Sequence, residues 1–380
     1  MPSWDVSFDL RVGVDDPDIV KALARIEAMA GVVRGIPIPP GAQRRIDRLN
    51  ILRAVVGTTG IEGTELSDDE VDRIMSASPD ERVLPPSRRR EEMEARNAER
   101  VMRYVAEALE VEPGLPLTEQ LICTFHEIVT TGIDYEHNQP GVYRSHSVTA
   151  GTYVPPRDRE DIKRLMKGFI RWFNTGEPLY WPSPVRAIVS HFYVVSIHPF
   201  GDGNGRAARA VESFLLYQGG INARGFYSLA NHYYRHRDRY IGLLDSVRFS
   251  ADRDLTPFVR FALEGLLVGL EEVHEQIIAE VRVITFRDLA REVLDGKAKL
   301  GTKAGSRMLN LLYGLAREPV RMTDLRRGSH PLYRLYKGLS AKTLRRDLDF
   351  LLEQGLVTVD EDNLRANLDV MDRYVPWSPS

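Results

Sequence analysis

The chain has 380 residues, 43% hydrophobic and 28% charged, with a formal net charge of -3. That is the composition of an ordinary globular protein long enough for two or three domains at about 150 residues each, with no global charge bias towards nucleic acid or an anionic membrane surface. Cys123 is the only cysteine, which excludes an intramolecular disulfide and makes the cytoplasm the expected compartment.

The opening residues, MPSWDVSFDLRVGVDD, lack the basic and apolar regions of a secretory signal. The most apolar run, residues 187–197, contains His191 and falls short of the roughly 20 residues a bilayer span needs, so no membrane insertion is expected. Ile46, Leu49, Leu52 and Val56 recur at helical steps. GTTGIEG, residues 57–63, then reads as a helix-breaking glycine cluster, a short turn or single helical piece between two helices. Ser67 is a good N-cap, Glu70 completes a capping box and Leu66 with Val71 supplies a hydrophobic staple, predicting a helix from about Asp68. SRRREEMEARNAERVMRYVAEALE is a charged amphipathic helix whose arginines form a solvated face with i,i+4 partners. EPGLPLT, residues 112–118, marks a boundary. In residues 141–156, GVYRSHSVTAGTYVPP, β-branched and aromatic residues flank Gly151 and predict a β-hairpin or extended flap. Pro184 opens a further helix with Val185, Ile188, Val189 and Phe192 on one face, and the expected fold class is mainly α.

SIHPFGDGNGRAAR, residues 196–209, joins that helix to another starting near Arg206. Gly201, Gly203 and Gly205 let backbone amides converge without Cβ obstruction, and the next helix adds its unpaired N-terminal N–H groups. Such a nest binds anions, phosphate above all. Arg206 and Arg209, three apart, can reach one polyphosphate, Asp202 suits a hydrated Mg²⁺ that bridges phosphates, and His198 is the natural general base for a hydroxyl. No GxxxxGK[ST] loop occurs. The parts describe phosphoryl or nucleotidyl transfer from a nucleotide. His191 and His198, seven apart, lack companion ligands at metal spacing, so His191 is expected to pack or hydrogen-bond within its helix. NHYYRHRDRY, residues 231–240, mixes aromatic and basic residues as single-strand binders do, and beside this loop it reads more simply as the edge of a nucleotide pocket.

Beyond about Ile284 the character changes. Residues 321–346 hold eight Lys/Arg against one acidic residue, Asp324. A helix, a turn and a helix with Leu344, Leu348 and Leu351 inward stop at Gly355 and lead into two short β segments, the order of a winged-helix domain. Lys342, Arg345 and Arg346 lie near the start of the last helix, where they could read DNA, making the chain alternatively a transcriptional regulator whose nucleotide site is a sensor. Against this, Arg345 has Asp349 one turn on, and residues 340–354 carry three basic and three acidic residues.

HPFGDGNGRAAR matches the pattern HPFx[DE]GN[GK]RxxR of Fic proteins at every constrained position, and SHFYVVSI, GVYR with TAGTYVPP, and DRYIGLLDSVR resemble that family over residues 116–262. The resemblance implies a Fic-type helical core with a β-hairpin flap, and AMPylation: a target hydroxyl attacks the α-phosphate of ATP, with Mg²⁺ as cofactor. By position, His198 would take the proton and Asp202 would hold Mg²⁺. Gly203, Asn204 and Gly205 would form the anion hole with amides and side chain, Arg206 would grip the phosphates and Arg209 would bind the γ-phosphate. Gly151, Thr152 and Tyr153 would align the target segment by β-augmentation, and Tyr240 would line the adenosine pocket. Gly205 and Arg209 are both present, unlike the Doc branch, which phosphorylates its target.

Residues 58–63 also match the family's inhibitory pattern [ST]xxxE[GN], formed by Thr58, Glu62 and Gly63. By resemblance Glu62 would pair with Arg209 and misorient ATP, and some members use this glutamate to remove AMP. The expected organisation is an N-terminal helical region 1–115 with the inhibitory segment, a Fic core 116–283 and a winged-helix-like domain 284–380. The expected partners are ATP, a target protein, the chain itself as target, a second copy of the chain, and DNA through the C-terminal domain.

Overall fold

A computed structural model of the chain describes residues 6–136, 138–221, 228–297 and 300–374. They form two compact units, Met1–His274 and Glu275–Ser380.

In the first unit the chain runs through α1 (Pro17–Gly35), α2 (Pro40–Ile61), α3 (Asp68–Ser76), α4 (Arg89–Val111), α5 (Glu119–Thr130), α6 (Arg159–Thr175), α7 (Ser183–Ile197), α8 (Asn204–Gln218), α9 (Ala230–Arg235) and α10 (Arg237–Phe249), and enters α11 (Thr256–Gly296), inside which the division falls. Helix starts are written locally: Asp16 accepts from the amides of Asp18 and Ile19, and Thr118 accepts from Leu121. Ser67 and Glu70 exchange both bonds of the capping box, with Leu66 and Val71 buried together. Apart from Arg186, α7 is buried from Pro184 to Ile197, as befits a helix apolar all round, and it packs along α8. Among the described residues no helix is long and apolar enough to cross a membrane.

Two local expectations are corrected. Gly57 and Gly60 do not break the helix, because α2 runs through both to Ile61. A Cβ on Gly57 would strike the backbone of Asn231 and one on Gly60 the ring of Tyr234, so these glycines let α9 lie against α2. The chain leaves the helix only at Gly63, φ +92°, where Thr64 N donates to Thr59 O at 3.1 Å and Gly63 N to Gly60 O at 3.0 Å. This is a Schellman ending with Glu62 as the C-cap residue. The expected hairpin of residues 141–156 reduces to one antiparallel bridge, Ala150–Tyr153, around Gly151 at φ +61°. Its ends are tied by a side chain instead of a ladder: buried Arg144 donates to the carbonyls of His146, Pro156 and His198 at 2.7, 2.6 and 2.9 Å.

The second unit holds the remainder of α11, α12 (Lys303–Leu315), β1 (Val320–Arg321), α13 (Met322–Arg327), a 3-10 turn Pro331–Tyr336, α14 (Ala341–Glu353), β2 (Val357–Asp360) and β3 (Asn363–Ala366). The sheet is antiparallel in the order β1-β3-β2, with Leu364 opposite both Val320 and Val359. Leu344, Leu348 and Leu351 are buried with Leu311, Leu312 and Leu364, and Gly355 at φ +69° follows α14.

Candidate active site

The loop between α7 and α8 is held by a set of hydrogen bonds from its own and neighbouring residues. Pro199 has no N–H to continue α7, which ends on His198 in the left-handed region, φ 52° and ψ 58°. A non-glycine residue there costs on the order of 1–2 kcal/mol. The loop holds it with Arg144 Nε donating to His198 O at 2.9 Å. Asn204 brackets the bend: Phe200 N donates to its Oδ1 and its Nδ2 donates to Phe200 O, both at 2.9 Å. One hydrogen of the Asn204 Nδ2 amide is thereby used within the loop. His126 stacks flat on Phe200 at 3.7 Å. Its Nδ1 accepts from Gly141 N at 2.9 Å, so its Nε2 carries the proton and donates to Asp202 O at 2.8 Å. Asn138 accepts from Asp202 N at 3.1 Å. Gly203, φ +74°, opens α8, and a Cβ there would strike Thr130.

His198 Nδ1 lies 3.2 Å from Val195 O. A carbonyl only accepts, so Nδ1 carries the hydrogen and Nε2 keeps its lone pair. Burial pushes the imidazole pKa down to about 4, with Arg248 and Arg144 adding to the effect, while the Val195 bond and Glu62 oppose it. At neutral pH this is a neutral base.

Two guanidiniums rise from α8. Arg206, 4% exposed, donates through Nη1 to the Tyr135 hydroxyl, pairs through Nη2 with Asp202 Oδ1 at 3.0 Å and lies 3.5 Å from Glu94 Oε1. Arg209, 3% exposed, donates through Nη2 to Glu62 Oε1 at 2.6 Å and to Thr58 O at 3.1 Å, and through Nε to Thr58 Oγ1 at 2.8 Å. A Cβ on Gly205 would collide with Glu62 Oε1, so the missing side chain lets this carboxylate reach the N-terminal turn of α8. Burial pushes the Glu62 pKa up, and Arg209 and Arg206 outweigh it and hold the carboxyl below its ordinary value.

The other expected residues take varied places. Gly151 and Thr152 are exposed, with Thr152 Oγ1 3.4 Å from Asp245 Oδ2. Tyr153 is buried and anchors the flap by donating to Ser196 O at 2.8 Å. The Tyr240 hydroxyl lies 2.9 Å from His191 Nε2, its ring stacks on Tyr233 at 4.6 Å, and Tyr233 donates to buried Glu212 at 2.7 Å. Asp202 Oδ1 takes both the Arg206 contact and that of Gly203 N at 2.5 Å; Oδ2 takes neither, and the side chain is 41% exposed. Among the described residues no group of three His, Cys, Asp or Glu could hold a metal ion. One accessible carboxylate fits Mg²⁺, which takes most of its ligands from phosphates and water. A cavity of about 310 Å³ adjoins the loop, lined by Glu62, Thr64, Glu94, Asp202 and Arg206 among others.

Sequence reasoning missed His126, Tyr135 and Glu94. For Glu94 a signal exists: it stands in line with Ala98, Val101 and Val105 on the buried stripe of α4.

The Fic/DOC family model matches residues 116–216. Protein adenylyltransferase Fic from Aedes aegypti is 26% identical over 243 residues, 63% of this chain and 45% of that protein. Its counterpart from Culex quinquefasciatus is 26% identical over 242 residues, again 63% and 45%. The chain thus spans less than half the length of these curated relatives. Among solved structures, a Fic family protein from Desulfovibrio desulfuricans shares the fold with TM-score 0.56 at 19% identity, over 96% of this chain and 98% of that one. A fragment of Fic-1 from C. elegans aligns with TM-score 0.54 at 22% identity, over 69% and 73%. The bent, amide-rich loop after His198 therefore lies inside the segment, residues 116–216, that matches the Fic/DOC family model.

Proposed function

We propose that the chain is a protein adenylyltransferase that transfers AMP from Mg-ATP to a hydroxyl of a target protein, with the chain itself among the acceptors, and that Glu62 inhibits it. The observation that carries this reading is a neutral His198, Nε2 lone pair available, on the same short loop as Arg206 and the Arg209–Glu62 pair. The curated relatives named protein adenylyltransferase Fic support it. The acceptor oxygen bonds to the α-phosphorus, the bond to the β-phosphate oxygen breaks, and pyrophosphate leaves with that electron pair. The hydroxyl proton passes to His198 Nε2. The first amides of α8, at Asn204 and Gly205, and the Arg206 guanidinium bind phosphate oxygens, with Gly203 N joining them when Asp202 Oδ1 releases it, and Arg209, once free of Glu62, holds the γ-phosphate. Asp202 would hold Mg²⁺, which when bound neutralises charge on the phosphates. Incubating the Glu62→Gly variant with α-labelled or γ-labelled ATP tests the reaction type. Label is expected on protein from the α position alone; label from the γ position means phosphoryl transfer and overturns the reading.

A second reading, DNA binding by residues 284–380 as a winged-helix-like domain, gains from one contact. Asp347, 2% exposed, is consumed inside the second unit by Arg307, at 2.8 Å from Nε and 2.6 Å from Nη2. The acidic count of α14 therefore overstates its surface charge. Lys342, Arg345 and Arg346 are exposed, and the Arg345–Asp349 and Arg346–Asp347 pairs are loose at 3.8 and 3.9 Å. Binding to random duplex is expected to weaken steeply with salt, and Lys342→Glu with Arg345→Glu to flatten the salt slope by about one per lost phosphate contact. No binding at low salt removes this reading.

A further inference from the structure

Glu62 is the C-cap residue of α2, directly before the turn at Gly63, and its carboxylate pairs with Arg209 at 2.6 Å. Beyond its two backbone bonds, little side-chain packing holds that turn. A Cβ on Gly63 would meet nothing within 4 Å, and the turn stands between the cavity of about 310 Å³ beside Asp202 and an open cleft of about 780 Å³ lined by Leu66, Ser67 and Tyr234, both of which include Gly63. The first side chain beyond the turn is tied down firmly. Thr64 Oγ1 donates to Glu94 Oε2 at 2.5 Å, a charge-assisted bond to a carboxylate only 4% exposed. The other oxygen of Glu94 is fixed by the Tyr135 hydroxyl at 2.8 Å and Arg90 Nε at 3.1 Å, with Arg206 Nη1 at 3.5 Å. Arg90 and Arg206 both lie over the Tyr135 ring, at 4.5 and 5.0 Å. The carboxylate that receives Thr64 is thus part of a rigid assembly, and the movable partner is the turn.

We propose that the Thr64–Glu94 hydrogen bond is the latch that keeps the Glu62 carboxylate on Arg209, with Thr64 and Glu94 as positioning residues for the inhibitory group. This rests on the inhibitory reading of Glu62. Thr64 lies outside the six residues that resemble the inhibitory pattern, and Glu94, on α4, lies 30 residues further along the chain. The latch would hold in one place a C-cap side chain that is one-third exposed. Because the same carboxylate faces Arg206, it links the turn to the phosphate-binding side of the loop.

The test uses the full chain. Thr64→Val removes the hydroxyl and keeps the shape, whereas Thr64→Ser keeps the hydroxyl. Labelling from α-labelled ATP is expected to rise about ten-fold or more in Thr64→Val, the worth of one hydrogen bond to a charged group. It should stay at the wild-type level in Thr64→Ser, and Thr64→Val combined with Glu62→Gly should equal Glu62→Gly alone. Hydrogen exchange gives a readout independent of transfer: the amides of Gly63 and Thr64 should exchange faster in Thr64→Val by a similar factor, with the melting temperature lowered by no more than a few degrees. If Glu62→Gly is activated while Thr64→Val labels and exchanges like wild type, the latch is wrong and the inhibitory reading stands. If Thr64→Ser is activated as strongly as valine, or the double variant exceeds Glu62→Gly, the hydroxyl does not act through Glu62 and the latch is equally overturned. If Glu62→Gly leaves labelling unchanged, the inhibitory reading fails and takes the latch with it.

Discussion

Replacing Glu62 by glycine is expected to raise AMP transfer about ten- to one-hundred-fold, the range set by removing one charge-assisted bond that competes with substrate. In the structure Arg209 gives its Nη2 to Glu62 at 2.6 Å, and a triphosphate seeking that guanidinium must displace a carboxylate lying over Gly205. Competition is by charge and by volume, and two variants separate them. Glu62→Gln keeps the volume and loses the charge, so it should be activated less than glycine. Thr58 still holds Arg209 through its hydroxyl and carbonyl, so the guanidinium keeps its direction when the carboxylate is gone. The sign of the pH dependence follows from the pairing. Burial raises the Glu62 pKa, yet Arg209 and Arg206 hold it below 4.5, so the ion pair is complete above that value and is lost as pH falls through the lowered one. Inhibition should therefore persist through neutral and mildly acid conditions. Equal labelling of wild type and the glycine variant, measured with α-labelled ATP, would remove Glu62 from any regulatory role.

The residues that make this site differ in how openly the sequence declares them. The loop after α7 is legible because its requirements are local: glycines where amides converge, a proline that stops one helix, arginines one turn apart on the next. The same locality makes the Ser67 capping box readable, and it appears with both of its bonds. Gly57 and Gly60 mislead because their reason lies far away in sequence, in the backbone of Asn231 and the ring of Tyr234 that press on α2. A glycine needed for close approach looks like a helix breaker until its neighbour is known. The strand-like residues near Gly151 mislead in the opposite sense. Their composition suits a hairpin, but Arg144 uses its guanidinium to join the two ends, and only one bridge remains. Charge is the third source of error. Glu94 and Asp347 look like members of solvated charge patterns, yet each is buried against cations from elsewhere in its own unit. Counting charges along a helix cannot tell which of them leave the surface, and here Glu94 and Asp347 alter the reading of both units.

His198→Ala is expected to have the largest effect of all, a loss of about 10²- to 10⁴-fold in transfer, the usual worth of a positioned general base. The prediction is sharper when made in the Glu62→Gly background, where the wild-type rate is high enough for the loss to be measured. ATP binding should survive within a few-fold, because the phosphates are held by loop amides, Arg206 and Arg209 and not by the imidazole. The pH profile of the parent separates a base from a merely structural histidine. A free imidazole would titrate near 6.5, but burial has lowered His198 to about 4, so Nε2 is already unprotonated at pH 6 and the acid limb should lie near pH 4. The same shift sets a sign for stability: with the folded pKa below the unfolded one, the neutral-imidazole contribution is complete above about 6.5 and drains away as pH falls towards 4. A variant lacking His198 should lose the limb along with the rate. An alanine variant that transfers AMP at the parental rate would show that another group accepts the proton, and the neutral imidazole, left-handed backbone and Arg144 tether at this position would then need a purely architectural explanation.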